Sequence, residues 1–114
     1  MPAQVVETFF SLAVRDMQRA TAFYVTVFGA AVSAALPFWS SLHVAGVRFG
    51  LALVPEHVGG TTGLHFAVVD LADAAASVER AGGRVVRASV EVAPGVVVSD
   101  VTDTEGNGFT LVRR

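Results

Sequence analysis

The residues able to carry chemistry in this chain are few and widely spaced. Three histidines (His43, His57, His65) and Glu7 supply the imidazole and carboxylate groups that acid–base work or metal ligation needs. His57 sits in a Pro- and Gly-rich stretch and is expected to be solvated. The Leu64–Val69 segment reads as a strand, and His65 alternates with Leu64 along it, so its side chain is expected on the helix-packed face. His43 lies in a strand whose register the sequence leaves open. Glu7 shares the parity of Phe9 and belongs at a rim, solvated. No cysteine is present, which excludes disulfides, thiolate nucleophiles and cysteine-bound zinc. The glycine pairs Gly59-Gly60 and Gly82-Gly83 lack the lysine and the helix opening of a phosphate loop. No nucleophile elbow supports a Ser-His-Asp arrangement. Metal-free acid–base catalysis through His43 or Glu7 is the catalytic route these residue types leave open.

Composition narrows the setting. Hydrophobic residues make up 53% of the 114 and charged residues 16%. That suits one domain with one core, and leaves apolar surface for a second subunit or a ligand to cover. The eight basic residues are all arginine and scattered, and net charge is −2, so nucleic acid is not an expected partner. The apolar stretch around Val25 to Trp39 is interrupted by Thr26, Gly29, Ser33 and Pro37, which disfavours a membrane span. The amino terminus shows no basic segment followed by an apolar run. A soluble, cytoplasmic protein is expected.

The elements that must position these residues come as a duplication. Asp16 superposes on Asp70 at an offset of 54, carrying Ala20 to Ala74 and Gly29 to Gly83. The preceding strands are aligned at 55, Phe9 on Leu64, with Arg15 as an extra residue at the junction. The last strands align at 60, Phe49-Gly50-Leu51 on Phe109-Thr110-Leu111. In the first half, alternation over Glu7–Val14 predicts a strand and Asp16 a helix N-cap. Ala20, Phe23, Tyr24, Val27 and Phe28 then form a helical apolar stripe, stopped by Gly29. Three β-rich stretches follow, 31–36, 38–44 and 47–54. The second half repeats the order, with Asp70 as cap and a stripe of Leu71, Ala74, Ala75 and Val78. One α+β domain over 1–114 is expected: a βαβββ module at 4–54, a linker at 55–61 and a second module at 62–113. Each module has a bare sheet face, so two of them, within a chain or exchanged between chains, are expected to enclose a cavity in a curved mixed sheet with the helices outside.

Three segments carry a resemblance that covers nearly the whole chain. They are Leu12-x-Val14-x-Asp16 leading into Ala22-Phe23-Tyr24-x-x-Val27-Phe28-Gly29, then Phe66-Ala67-Val68-Val69-Asp70-Leu71, then Asp103-Thr104-Glu105-Gly106-Asn107. In this order and spacing they resemble the vicinal-oxygen-chelate superfamily of glyoxalases, bleomycin-resistance proteins and dioxygenases. In its enzymes the resemblance implies one metal ion, held by His, Gln or Glu on the first and last strands of each half. Those positions fall here on Phe9, Leu64, Gly50 and Thr110, and none of them makes a ligand set. No metal and no other cofactor is therefore expected.

What replaces the metal is expected to be an apolar, partly aromatic pocket. Strand parity places Phe9, Ser11, Leu64, Phe66, Val68, Ala52 and Val112 on the cavity side. Phe38, Trp39, His43, Arg48, Gly50 and Thr110 complete the candidate ligand-binding set, with Ser41 a further polar point and no residue assigned as catalytic. Trp39 is the first candidate for stacking on a ligand, and Arg48 for orienting an anionic one. Gly50 marks a bulge or a close approach of other groups to the backbone. The leading expectation is a metal-free protein that sequesters a largely apolar or aromatic small molecule, as the drug-binding, antibiotic-resistance branch of the resemblance implies. The alternatives are a metal-dependent lyase, isomerase or extradiol-type dioxygenase with displaced ligands, or a non-catalytic assembly partner. A homodimer is expected from the resemblance and the low charge fraction.

Overall fold

The computed structural model describes residues 1–114. The first nine form no regular element, and β1 is short, Phe10–Val14. Asp16 then caps α1 (Met17–Phe28): its carboxylate accepts the Arg19 N–H at 3.0 Å, satisfying one of the orphan donors of the first turn. Gly29 ends the helix at φ +65°, the left-handed conformation that glycine adopts without a Cβ penalty. Strands β2 (Ala31–Leu36), β3 (Trp39–Val44) and β4 (Val47–Leu53) follow, then a single 3-10 turn at Pro55–His57 within the expected linker. The second run is β5 (Thr61–Val68), α2 (Leu71–Arg80) capped by Asp70, β6 (Arg84–Ala93), β7 (Val96–Thr102) and β8 (Gly108–Arg113).

These strands make two four-stranded mixed sheets, ordered β1-β4-β3-β2 and β5-β8-β7-β6, with β1–β4 and β5–β8 parallel and the other pairs antiparallel. The architecture is the α+β duplication that the sequence predicts. Alternation decides which face each helix covers. Leu12 and Val14 of β1, Leu42 of β3 and Phe49 and Leu51 of β4 are buried with Ala20, Phe23 and Tyr24 of α1. Leu64, Phe66, Val101, Phe109 and Leu111 do the same on the second sheet with Leu71 and Val78 of α2. Both sets merge into one core, because Phe28 of α1 stacks on Phe66 of β5 at 3.8 Å between ring centroids, while Phe23 meets Phe109 edge-on. Each such buried ring contributes about 1.5–3 kcal/mol through area removed from water.

Since the helix-facing sides of both sheets share this core, the uncovered faces point away from it. The two sheets are not closed into one wall within a chain. A radius of gyration of 14.5 Å fits this openness, since about 13 Å is typical of a compact domain of this length.

The structure corrects the alignment of the two halves. Leu64 and Phe66 lie in the core, not on the cavity side, and Val68 packs against the core with them. His65, expected on the helix-packed face, is instead exposed on the open one, opposite Thr110 in the ladder. The offset of 54 therefore runs without a break from β1 and β5 into the helices. Leu12 matches Phe66 and Ser11 matches His65; accordingly Ser11 pairs with Gly50 where His65 pairs with Thr110. Arg15 is no insertion, as Val69 stands in its place. A slip of one residue reverses every side chain of a strand, which is why the error inverted the whole of β5.

The turn between β7 and β8 ties the ends of the chain together. Asp103 Oδ1 accepts the N–H groups of Glu105 (2.8 Å) and Asn107 (3.0 Å), and Oδ2 accepts the Tyr24 hydroxyl (2.7 Å) and Asn107 Nδ2 (3.1 Å). Asn107 Nδ2 also donates to the Ala13 carbonyl, and its Oδ1 accepts the Gly59 N–H. The Glu105 side chain is 0% exposed and accepts the backbone N–H groups of Arg15 and Asp16, both at 2.9 Å. This turn thereby fixes the junction of β1 and α1 from the far end of the sequence.

Candidate ligand-binding site

Trp39 begins β3, and alternation puts Trp39, Ser41 and His43 on the open face of the first sheet while Ser40 and Leu42 turn to the helix side. The neighbouring strand β4 offers Arg48, Gly50 and Ala52 on the same face, opposite His43, Ser41 and Trp39 in the ladder. The missing side chain of Gly50 is what seats the indole. A Cβ built there would lie 2.1 Å from Trp39 Cζ2 and 2.2 Å from Cη2, so the six-membered ring occupies the space any other residue would fill.

One buried hydroxyl orients both chief groups. Ser41 Oγ accepts Trp39 Nε1–H at 2.8 Å and an Arg48 Nη2–H at 3.4 Å. Arg48 also lies over the Phe9 ring, 4.1 Å from its centroid, and Phe9 meets Trp39 edge-on at 6.2 Å. Glu7 completes the group: its Oε2 accepts Arg48 Nη1–H at 3.1 Å, so it is paired rather than merely solvated. His43 Nε2 is 2.9 Å from Ser33 Oγ of β2.

Of the ten candidate ligand-binding residues, Phe9, Ser11, Trp39, His43, Arg48 and Gly50 are brought to this face. Leu64 and Phe66 are removed to the core, as described above. Phe38 stands on the β2–β3 turn, 64% exposed and outside the cluster of aromatic contacts around Trp39. Thr110 belongs to the open face of the second sheet, where its hydroxyl donates to Asp100 (3.1 Å), itself paired with Arg87 (2.8 Å). His65 joins Thr110 there, with Nδ1 2.9 Å from the Gly63 carbonyl oxygen. The His65–Asp100–Arg87 side of the molecule escaped the sequence analysis because it depends on the register of β5 and on bulges in β6.

A glyoxalase-like domain family model matches residues 9–112. The chain belongs to the glyoxalase-like domain family. With its paired βαβββ topology this places it in the vicinal-oxygen-chelate superfamily. No protein of curated function matches the sequence. Among solved structures, a glyoxalase/bleomycin resistance protein/dioxygenase family enzyme from Burkholderia phytofirmans superposes with a TM-score of 0.80 at 20% identity, over 92% of this chain and 95% of that one. The fosfomycin resistance protein FosX from Listeria monocytogenes, complexed with Mn(II) and sulfate, gives 0.80 at 15% identity over 99% and 91%. A bleomycin resistance determinant encoded on transposon Tn5 gives 0.69 at 17% identity over 96% and 98%. At these identities the likeness establishes the fold.

The metal that this fold implies can be tested against the donors present. Phe9 and Gly50 offer no lone pair, and the Thr110 hydroxyl is spent on Asp100. On the corrected alignment the remaining position is Gly63, which also has no side chain. No group of three or more His, Asp or Glu side chains comes together in the chain. Glu7 is engaged by Arg48, His43 by Ser33 and His65 by Gly63, on two different sheets. These residues do not fit the family's metal.

Proposed function

We propose that this protein binds a flat, largely apolar small molecule without a metal, on the Trp39 face of the first sheet. The observation that carries this reading is the indole seated on Gly50 and pinned by Ser41, flanked by Phe9 and Arg48, on the face where the family's enzymes hold their metal. A partly exposed ring held in one orientation is a stacking platform whose ordering cost is already met before the ligand arrives. Two chains complete the site: the open first sheet of one protomer faces the open second sheet of another, covering Phe9 and its neighbours and supplying a second wall. The exposed apolar residues of the single chain, Phe9, Leu36 and Val96 among them, support that pairing. The similarity to resistance proteins supports sequestration of a toxic aromatic compound as the cellular role. The enzymatic alternative requires Glu7, His43 and His65 to converge on a metal, and their separate engagements speak against it.

The test is a thermal-shift and tryptophan-fluorescence screen of planar aromatic compounds, Trp39 being the sole tryptophan. A binder should raise the melting temperature and change Trp39 emission. Gly50→Val, which fills the seat of the indole, should weaken that binder at least roughly tenfold. Ligands that stabilise the Gly50→Val variant as well as the parent, or stoichiometric metal in protein purified without chelator, would overturn the proposal.

A further inference from the structure

Arg48 and Glu7 differ in how firmly they are held. The Arg48 side chain is 26% exposed, rests on the Phe9 ring and is bonded to a buried serine. Glu7 is 53% exposed, lies in the segment before β1 that has no regular structure, and its side chain is tied by the single bond to Arg48. An exposed ion pair of this kind contributes little to stability, so its anion is replaceable. The cation stays where it is, beside Trp39, because it rests on the Phe9 ring and makes a second, longer contact with the Ser41 hydroxyl that holds the indole.

We propose that the ligand of this face is a planar aromatic carboxylate, and that Glu7 is its internal stand-in. The ring covers Trp39 and the carboxylate takes the place of Glu7 on Arg48. The inference rests on the aromatic-binding reading above and adds the charge and its position. A single carboxylate suits the site better than a dianion, since Arg48 is the one guanidinium in the cluster and the group it holds carries one charge. Guanidinium and carboxylate also share a planar, two-pronged geometry, which Glu7 uses through one oxygen and a free ligand can use through both.

A matched pair of probes tests this: 2-naphthoate, and 2-naphthamide with the same ring and no charge. Titration is followed by Trp39 emission and by calorimetry in low salt. Naphthoate should bind roughly tenfold more tightly than the amide, and the preference should shrink as salt is added. Glu7→Gln should raise naphthoate affinity about two- to fivefold relative to the amide, widening the preference between the two probes. Arg48→Met should erase the preference while circular dichroism and melting show the fold intact. Equal affinity for the two probes would overturn the anionic inference and leave the aromatic reading standing. Weaker naphthoate binding by Glu7→Gln would overturn the stand-in role. Binding of neither probe to the folded parent protein would sink the aromatic reading and this inference together.

Discussion

The turn from Asp103 to Asn107 and the face around Trp39 are both polar clusters next to aromatic rings, yet they are built on opposite plans. In the turn, every oxygen of Asp103 and Glu105 accepts at least one hydrogen bond, the carboxylates are sealed from water, and the partners come from β1, α1 and the segment before β5. Of the polar groups on the Trp39 face, only Ser41 is buried; Arg48 and Glu7 reach solvent, and one bond of the cluster is a loose contact of 3.4 Å. The difference separates structure from recognition. A buried charge without its partners costs several kcal/mol, so the turn can hold only its own ligands. Half-exposed groups exchange partners cheaply, which is what a binding face requires.

Three substitutions can break this comparison. The largest effect is expected for Asp103→Ala, which leaves the Tyr24 hydroxyl and two backbone N–H groups without their acceptor and Asn107 Nδ2 with only the Ala13 carbonyl. Urea denaturation should show a loss on the order of 3–5 kcal/mol. A loss below about 1 kcal/mol would mean the turn is no more committed than the open face.

Tyr24→Phe comes next, at about 1–2 kcal/mol near neutral pH for the lost hydrogen bond to a buried carboxylate. It also carries a pH signature. Burial, then the charge of Asp103 and the hydrogen bond to it, push the Tyr24 phenol well above its usual value of 10.0. The folded chain therefore holds this proton more tightly than the unfolded one. The stability contributed is full below pH 10 and is lost as pH rises from there toward the folded pKa. The parent protein should lose stability over that alkaline window, and the Phe variant should show a shallower decline. Equal slopes in denaturation series from pH 8 to 11 would refute this account of Tyr24.

Ser41→Ala should cost least, about 1 kcal/mol, since its two donors lie close enough to solvent to find water. Its effect should appear instead in Trp39: a change in fluorescence anisotropy, and weaker binding of any aromatic ligand by a larger factor than the stability change implies. Proportionate losses in both would place Ser41 with the structural residues.

Much of this molecule was legible beforehand because the signals are local. Asp16 and Asp70 cap helices through their own side chains, and Gly29 stops one through its own φ, so these features need no distant neighbour. Strands β2 and β8 fall where alternation and turn residues put them. The Trp39 face was half legible. Residues two apart on one strand share a side, which groups Trp39, Ser41 and His43, but nothing local says that Gly50 lies beneath the indole or that Glu7 meets Arg48. Strand β5 was misplaced through its alignment: both registers bury some apolar residues, and it is the packing of Leu64, Phe66 and Val68 into the shared core, with Phe66 against Phe28 and Phe109, that distinguishes them.

By itself, then, the amino-acid order determined the duplication, the helix ends, the choice of β-rich segments and the lack of side-chain donors at Phe9 and Gly50, while the position first placed on Leu64 needed the register of β5. These follow from side-chain chemistry and from periods of two or 3.6 residues that act within a few positions. Tertiary structure alone decided which way β5 faces, how Glu105 reaches back across 90 residues to the start of α1, and which anion sits on Arg48. Each of those is a contact between segments far apart in the chain, where the free energy of a shared core, rather than local preference, selects the register.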